Sequence, residues 1–502
     1  MRGKCLMIQG TGSSVGKSIL CAAILRILRQ DGYVVAPFKA QNMALNSFAT
    51  KEGLEMGRAQ VLQAQAAGIE PSALMNPVLL KPTSDRRSQV IVNGRPTGNM
   101  TAMEYHLYKP NLQALVRESY ERLESSVDFV VIEGAGSPAE INLRDGDIVN
   151  MAMAEMADAP VLLVGDINLG GVFASLYGTM MLLTEAERAR VKGVLINKFR
   201  GDREILKPGL DMLVNLIHVP VVGVVPWMDV DLEDEDSVTD RFQKVVGGGE
   251  VDVAVVRLPH ISNFTDFQAL SLAEGVRVRY IERASELEGA DVIILPGTKN
   301  TIEDLLAIKS RGIDEAIVRH ARTGGLVVGV CGGYQMLGSR LTDPSGVESR
   351  VQEVAGLGLL DMDVTFLPEK TTLQASGRVS GGGCWLDGID GAAVDGYEIH
   401  AGVNRLGADA APWLQLETRE GIDGVRNPEG NVLGSYLHGL FDNGHLCRAL
   451  VDHVRQKKGL DASGGTPLTM DEFRERELDR LASVVRASLD MEKLYEILRG
   501  EK

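Results

Sequence analysis

A loop near the amino terminus has the composition of a phosphate-binding loop. The stretch GTGSSVGKS occupies residues 10–18, between a short apolar run and a helical pattern. Phosphates are bound by inward-pointing backbone N–H groups, a helix amino terminus and a lysine. Lys17 is therefore predicted to reach the outer phosphates of a nucleotide, and Ser18 to bind Mg²⁺. Small residues let the backbone approach the ligand: Gly12, Ser13 and Gly16. The loop exceeds the usual spacing by one residue, and an ordinary glycine-rich turn is the alternative interpretation.

A second candidate for chemistry is a thiol. Cys331 lies in GVCGGYQMLG, after the apolar run 326–330 and before a helical pattern. An elbow between a strand and a helix exposes the sulfur and directs a helix amino terminus at it, which lowers the pKa of a thiol. The N–H groups of Gly332 and of Gly297, or of its neighbour Thr298, are candidates for an oxyanion hole.

A thiol nucleophile requires a base, and His438 is the candidate. It lies in GSYLHGLF, after another strand-like apolar run. A lone histidine is more often a simple surface or core residue. Because Cys331 stands in an elbow motif earlier in the chain, we predict that the two side chains form a catalytic pair.

The elements that must position these residues follow an alternating pattern. Apolar, β-branched runs occur at residues 4–9, 128–134, 160–166 and 191–197, with helical stretches between them. Nearly continuous apolar runs are typical of parallel strands that helices cover on both faces. The sequence therefore predicts an α/β fold with a doubly wound parallel sheet.

The pattern lapses at residues 229–250, where acidic residues are followed by three glycines. This composition predicts an exposed linker between domains. The α/β rhythm restarts at residue 251, and a charged helical pattern begins near Asp471. We therefore predict two doubly wound domains, residues 1–228 and residues 251–502, the second ending in a helical tail.

Composition limits the classes of function. The chain has 502 residues, of which 44% are hydrophobic and 24% charged, as in soluble globular proteins with more than one domain. Its net charge of −16 argues against nucleic acid or an anionic membrane as a partner. The five cysteines form no CxxC pair and no signal peptide precedes them, so we expect reduced thiols and a cytoplasmic location. Cys5 and Cys21 lie within apolar segments and suit simple burial.

The phosphate loop resembles that of dethiobiotin synthetase, a P-loop enzyme that phosphorylates a carboxylate-type group. Partition-type ATPases carry a second lysine early in the loop, where this chain has Gly12. The resemblance implies that Glu133, in EGAG, holds Mg²⁺, that Asn197 meets the adenine and that Lys39 lies near the γ-phosphate. Considered alone, Glu133 is as well explained as a cap for the following turn.

The order of Cys331 and His438 resembles that of the class I glutamine amidotransferases, which have a flavodoxin-type domain and free ammonia from L-glutamine. In most of that class a glutamate follows the histidine by two positions, where this chain has Leu440. Asp442 or Glu398 are the substitutes that the sequence offers. A Cys–His dyad without a third member is also open.

Long blocks across almost the whole chain resemble the cobyric acid synthase family. They include PFKAQNMALNSFAT, MNPVLLKPTSD, GDINLGGVFASLYGT and GYEIHAG. The related cobyrinic acid a,c-diamide synthases carry an Asp-rich block where this chain has AQNMALNS. The resemblance implies an enzyme that uses ATP, Mg²⁺ and L-glutamine to amidate the b, d, e and g carboxylates of adenosylcobyrinic acid a,c-diamide.

A corrinoid rimmed with carboxylates needs cationic and amide side chains around it. Segment 39–95 is rich in both, although many such residues are only solvated surface groups. The candidate substrate contacts are Gln41, Asn42, Asn46, Lys81 and Arg86. Amidation of another polycarboxylate and a P-loop switch with a glutamine-sensing domain remain open, as does assembly into a homo-oligomer.

Overall fold

The computed structural model describes residues 4–84, 87–230, 232, 248–380, 383–418, 421–463 and 469–500. The chain divides into two compact units. The first comprises Met1–Ala44, Glu55–Glu235 and Arg474–Lys502, and the second comprises Leu45–Leu54 and Asp236–Phe473. These limits differ from the predicted domain ranges at the segment after Ala44 and at the carboxyl-terminal helices. Residues 231 and 233–247 of the predicted linker lie outside the described residues.

The strands are, in chain order, β1 (Lys4–Gly10), β2 (Val35–Phe38), β3 (Gln41–Met43), β4 (Ser47–Ala49), β5 (Glu55–Gly57), β6 (Val78–Ser84), β7 (Arg87–Val92), β8 (Arg95–Thr101), β9 (Phe129–Glu133), β10 (Val161–Asp166), β11 (Val191–Phe199), β12 (Val221–Pro226), β13 (Val251–Val256), β14 (Val276–Ile281), β15 (Val292–Leu295), β16 (Leu326–Val330), β17 (Arg340–Thr342), β18 (Glu353–Ala355), β19 (Met362–Val379), β20 (Ala393–Leu406), β21 (Ala411–Leu416), β22 (Gly421–Arg426) and β23 (Val432–Ser435). The helices are α1 (Lys17–Gln30), α2 (Arg58–Ala67), α3 (Ala102–Tyr108), α4 (Gln113–Glu124), α5 (Met151–Met156), α6 (Val172–Leu182), α7 (Glu185–Arg190), α8 (Arg203–Ile217), α9 (Gln268–Leu272), α10 (Thr301–Ser310), α11 (Ile313–Arg322), α12 (Gly332–Met336), α13 (Gly444–Lys457), α14 (Met470–Ser488) and α15 (Met491–Arg499). Across the described segments, none of these helices is both long and apolar enough to cross a membrane.

The first unit is built on a parallel sheet with strand order β12–β11–β10–β1–β9–β2. Strands β9 and β10 are buried along their whole length, as expected when helices cover both faces of a sheet. This confirms the predicted α/β fold of the amino-terminal half. The carboxyl ends of parallel strands meet at one edge of the sheet. That edge carries the phosphate loop after β1, Lys39 after β2, Glu133 at the end of β9 and Asn197 on β11.

The carboxyl-terminal helices belong to the first unit because their apolar faces complete its core. Arg26 on α1 donates hydrogen bonds to Glu475 at 2.7 Å and to Asp479 at 2.8 Å. The apolar residues of α14 and α15 that share a buried cluster with α1 are Leu478, Leu481, Ala482, Val485, Leu494, Ile497 and Leu498. The charged helical pattern was therefore predicted correctly as helix, but the residues it packs against could not be read from its own sequence.

The second unit contains parallel strands in the order β14–β13–β15–β16–β23. Numbered by chain order, this is the flavodoxin-type arrangement 2-1-3-4-5, which confirms the predicted carboxyl-terminal fold. Antiparallel strands β22, β21 and β19 extend the sheet beyond β23. The loops that follow β13, β15, β16 and β23 all emerge at the carboxyl edge, where Cys331 and His438 lie.

Candidate active sites

The phosphate loop joins β1 to α1. Gly16 caps α1 in the left-handed conformation at φ 95°, and a Cβ there would lie 2.2 Å from Asn197 Nδ2, so only glycine fits. Asn197 Nδ2 in turn donates to a loop carbonyl at 2.8 Å. Lys17 Nζ donates to the Gly12 carbonyl at 2.8 Å, and Ser13 lies exposed on the loop. The structure therefore places all the predicted phosphate-loop residues together with the predicted adenine contact.

A buried carboxylate, Glu133, is the centre of a polar cluster beside this loop, and it is only 1% exposed. Its Oε1 accepts hydrogen bonds from Ser18 Oγ and from Lys39 Nζ, both at 2.8 Å, and its Oε2 accepts one from Gln63 Nε2 at 2.6 Å. A carboxylate beside a loop hydroxyl supplies the hard oxygen donors that Mg²⁺ prefers. The residues therefore fit a magnesium nucleotide, with Lys39 adding positive charge at the same point.

Gln63 is a site residue that the sequence analysis did not identify. It lies on α2 and is fully buried, and its Oε1 accepts no hydrogen bond from any described residue. A buried acceptor without a partner normally indicates a water or an ion that the protein binds. Gln60 is also buried on the same helix. Two glutamines three positions apart in an apolar helical run share one face, and that pattern is the sequence signal for a polar site.

The predicted amide contacts of the first unit both have partners within it. Gln41 Oε1 accepts a hydrogen bond from the Tyr105 hydroxyl at 2.6 Å. Asn42 Nδ2 donates to Gln60 Oε1 at 3.0 Å. Through Gln60, Asn42 is connected to the helix that carries Gln63. A role for Gln41 and Asn42 in substrate binding remains a prediction.

The other predicted substrate contacts have different environments. Lys81 Nζ forms an ion pair with Glu55 at 2.8 Å, and both side chains are buried, so the lysine charge is balanced inside the first unit. Asn46 belongs to the second unit and is fully buried. Arg86 lies outside the described residues.

Cys331 occupies the elbow that its motif predicts, between β16 and α12. Its φ of 51° and ψ of −110° form a strained conformation for a residue with a side chain. A Cβ on Gly332 would lie 2.7 Å from Thr298 Cγ2, and one on Gly297 would lie 3.1 Å from His438 Cε1. The loop after β15 is therefore packed against both the elbow and the histidine. The oxyanion role of the Gly332 and Gly297 N–H groups stays a prediction.

His438 is held by a buried carboxylate. Its Nδ1 lies 2.7 Å from Asp266 Oδ2, and Asp266 Oδ1 accepts a hydrogen bond from the Gly439 N–H at 3.0 Å. The side chains of His438 and Asp266 are 2% and 3% exposed. Burial disfavours the imidazolium, but the charges of Asp266 and Cys331, with hydrogen bonds to both, raise the pKa of His438 to about 10. The arrangement therefore favours the imidazolium form of His438.

Asp266 takes the place for which the sequence offered only Asp442, Glu398 or no residue. Leu440 is buried in an apolar cluster, and Glu398 bonds to a neighbouring histidine at 3.1 Å. Asp266 lies in the short 3-10 turn after β13, at the sheet edge that also carries His438. The signal available in the sequence was an acidic residue in the loop after β13, the first strand of the second unit. The class pattern, which places the acid two positions after the histidine, does not contain it.

The other described thiols have different environments. Burial raises the pKa of Cys5 to about 11 and that of Cys447 to about 12. Cys21 is fully buried among apolar residues of α1. These side chains stay protonated near neutral pH or pack as small apolar groups, which leaves Cys331 as the described thiol that has a histidine beside it.

Two family descriptions match the chain, one for each half. The CobQ/CobB/MinD/ParA nucleotide binding domain matches residues 6–237. The CobB/CobQ-like glutamine amidotransferase domain matches residues 252–446. The two matches together span most of the chain, and each contains one of the two clusters described above.

Three relatives that match along their full length carry the same name. A cobyric acid synthase from Alkaliphilus metalliredigens is 54% identical over 503 residues, covering 99% of this chain and 100% of that protein. One from Thermoanaerobacter is 52% identical over 503 residues, covering 99% of each chain. One from Photorhabdus laumondii is 52% identical over 511 residues, covering 100% of this chain and 99% of its own. The chain therefore belongs to the cobyric acid synthase family and is a glutamine-hydrolysing ligase with a nucleotide-binding domain.

Proposed function

We propose that this enzyme amidates the b, d, e and g carboxylates of adenosylcobyrinic acid a,c-diamide, giving adenosylcobyric acid. ATP activates each carboxylate, and L-glutamine supplies the ammonia. The observation that carries the proposal is the full-length identity to cobyric acid synthases, in a chain that retains both a phosphate-loop cluster and a Cys–His–Asp cluster. The substrate is a small molecule, and the net charge of −16 leaves its carboxylates to be attracted by local basic and amide groups.

In the glutaminase site, Cys331 Sγ attacks the side-chain carboxamide of glutamine. His438 carries the proton taken from the thiol and donates it to the departing nitrogen, so that ammonia leaves and a thioester remains. Asp266 keeps the imidazole oriented and stabilises its protonated form. The N–H groups of Gly332 and Gly297 stabilise the tetrahedral oxyanion. Water, deprotonated by His438, then hydrolyses the thioester to glutamate and restores the thiol.

In the synthetase site, the phosphate loop binds ATP, with Lys17 on the outer phosphates and Asn197 at the adenine. Ser18 and Glu133 would hold Mg²⁺, which neutralises charge on the transferred phosphoryl group. Lys39, 2.8 Å from Glu133, adds a second positive charge there. A substrate carboxylate oxygen attacks the γ-phosphorus and ADP leaves. Ammonia then attacks the acyl phosphate, releasing inorganic phosphate and leaving the amide.

For the corrinoid, we retain Gln41 and Asn42 as contacts. Both are amides on β3, which begins two residues after Lys39. Lys81 already neutralises Glu55, and Asn46 is buried in the glutaminase unit, so neither is needed to explain binding of a carboxylate.

Mass spectrometry of the corrinoid after incubation with ATP, Mg²⁺ and glutamine tests the proposal. Each amidation replaces a hydroxyl by an amino group, so four successive products are expected from the a,c-diamide. Unamidated cobyrinic acid is the matched control substrate. Amidation of cobyrinic acid at the a and c positions, with none of the a,c-diamide, would favour the related diamide synthase activity instead. Nucleotide-dependent dimerisation without any amide product would favour a switch protein, against which Gly12 argues.

A further inference from the structure

The glutaminase unit contains a segment from outside its own stretch of sequence. Leu45–Leu54 belongs to this unit, although the amidotransferase match covers only residues 252–446. Asn46 and Ser47 in the segment are fully buried. The Ala49 carbonyl accepts a hydrogen bond from Gln374 Nε2 at 3.3 Å. The segment is therefore packed within the second unit and is not a surface loop.

Asn46 holds the turn that carries Asp266. The Asn263 N–H donates to Asn46 Oδ1 at 2.8 Å, and the Ser47 N–H donates to Asn263 Oδ1 at 2.9 Å. Asn263 adopts the left-handed conformation at φ 51° and precedes the turn Phe264–Phe267. The Asp266 N–H donates to the Asn263 carbonyl at 3.0 Å. The reciprocal Asn46–Asn263 contact therefore fixes the residue from which the Asp266 turn begins.

Phe48 acts on the other member of the pair. Its ring centroid lies 4.8 Å from that of Tyr397. The Tyr397 ring stacks on the imidazole of His438, with centroids 5.2 Å apart and planes inclined by 23°. Tyr397 and His438 also exchange two backbone hydrogen bonds, at 3.2 Å and 2.9 Å. Phe48 thus supports the tyrosine that limits the tilt of the histidine ring.

We propose that Leu45–Leu54 is a structural part of the glutaminase site, with Asn46 and Phe48 as positioning residues for the Asp266–His438 pair. The proposal rests on the glutaminase chemistry proposed above. Neither residue touches the reacting atoms. Asn46 acts through Asn263 on the carboxylate, and Phe48 acts through Tyr397 on the imidazole. A general base contributes fully only when its geometry is fixed, so a change in this distant stretch of sequence should slow glutamine hydrolysis.

The test compares glutamine hydrolysis by the full-length enzyme and by the variants Asn46→Ala and Phe48→Leu. Each variant is expected to lower kcat by about tenfold, a part of the ~10²–10⁴-fold contribution of a positioned base, with little change in KM for glutamine. The matched control is Glu52→Gln, an exposed residue of the same segment, which should hydrolyse glutamine at the wild-type rate. Synthesis from ammonium salts reports separately whether each variant folds and keeps its synthetase site.

Two readouts separate positioning from a general loss of structure. Loosening Asp266 removes part of what raises the pKa of His438, so the alkaline limb of the glutaminase pH profile should move to lower pH in Asn46→Ala. In Asn263→Gly, glycine can adopt the left-handed conformation of residue 263 but lacks the Oδ1 atom that accepts the hydrogen bond from the Ser47 N–H. Asn263→Gly removes the bond from the Ser47 N–H and keeps the bond to Asn46 Oδ1, whereas Asn46→Ala does the reverse. The double variant Asn46→Ala/Asn263→Gly breaks both bonds and should therefore hydrolyse glutamine more slowly than either single variant.

Wild-type glutaminase rates and pH profiles in both Asn46→Ala and Phe48→Leu would overturn the proposal. So would an equal loss of glutamine hydrolysis and of ammonium-dependent synthesis in Asn46→Ala, because that result would place the residue in the synthetase site or in general folding. Absence of glutaminase activity in the wild-type enzyme would instead refute the proposed function itself.

Discussion

Asp266→Asn is the sharpest test of the glutaminase site. The substitution keeps the size and shape of the side chain but removes the charge that lies 2.7 Å from His438 Nδ1. An amide no longer enforces the imidazole tautomer whose Nε2 accepts the thiol proton. It also withdraws the charge that stabilises the imidazolium after proton transfer.

The pKa of His438 gives the size of the effect. Burial lowers it, and Asp266 followed by Cys331 raises it, so that it changes from the ordinary 6.5 to about 10. At about 1.4 kcal/mol for each pKa unit, the net shift favours the imidazolium by on the order of 5 kcal/mol, after the opposing effect of burial. Asp266 is the largest of the causes that raise the pKa, so we expect its loss to cost roughly 3 kcal/mol, which is about a 10²-fold decrease in kcat.

Ammonia release from L-glutamine is the assay, with Asp442→Asn as the matched control for the loss of one carboxylate, four positions after the histidine in sequence. Asp266→Asn should also move the alkaline limb of the pH profile to lower pH, because the removed charge is one that raises the pKa of His438. Synthesis from ammonium salts should be unchanged. A wild-type rate in Asp266→Asn together with a large loss in Asp442→Asn would refute the assignment of the third member.

Four further outcomes follow from the two sites. Cys331→Ala should abolish synthesis from glutamine and leave synthesis from ammonium salts; equal loss with both nitrogen sources would contradict the division of labour. Lys17→Ala should lose synthesis with either source, since contacts that neutralise a transferring phosphoryl group are typically worth several kcal/mol, and normal ATP turnover with retained synthesis would count against the phosphate-loop assignment. Gln63→Leu removes the Nε2 donor that lies 2.6 Å from Glu133 and also the Oε1 acceptor, so ATP hydrolysis should require a higher Mg²⁺ concentration. An unchanged Mg²⁺ dependence would mean that Gln63 serves only in packing. Leu440→Glu buries a carboxylate in an apolar cluster and should lower the Tm without accelerating glutamine hydrolysis. Faster hydrolysis at an unchanged Tm would mean that Asp266 does not already orient His438.

The sequence predicted the parts of the fold that depend on local pattern. Continuous apolar runs identified β1, β9, β10 and β16 because a strand buried on both faces has no polar side to display. The phosphate loop and the Cys331 elbow were also predictable, since each is a short motif whose chemistry needs its residues in consecutive positions. The resemblance to dethiobiotin synthetase implied roles for Lys39, Glu133 and Asn197, and the structure brings them to one edge because parallel strands end there together.

What the sequence did not reveal depends on contacts between distant parts of the chain. The α14 and α15 helices have an apolar face that any core could cover, and only the folded chain shows that α1 covers it. Asn46 has an amide side chain of the kind that often contacts ligands, yet it bonds to Asn263, more than two hundred positions later in the sequence. Spacing in sequence carries no information about such pairs.

The location of Asp266 shows why a motif based on spacing failed in this unit. In a 2-1-3-4-5 sheet, the loops after β13, β16 and β23 open at one edge, so the acid, the thiol and the histidine can each come from a different strand. An acid in the loop after β13 reaches His438 Nδ1 without occupying the position two residues after the histidine. That position is then available to Leu440, which is fully buried and packs in the apolar cluster under the site. A glutamate there would be a second buried carboxylate competing with Asp266 for one imidazole. Because such a constellation is defined by geometry rather than by chain order, the third member is found by asking which carboxylates lie at the sheet edge, not by counting residues from the histidine.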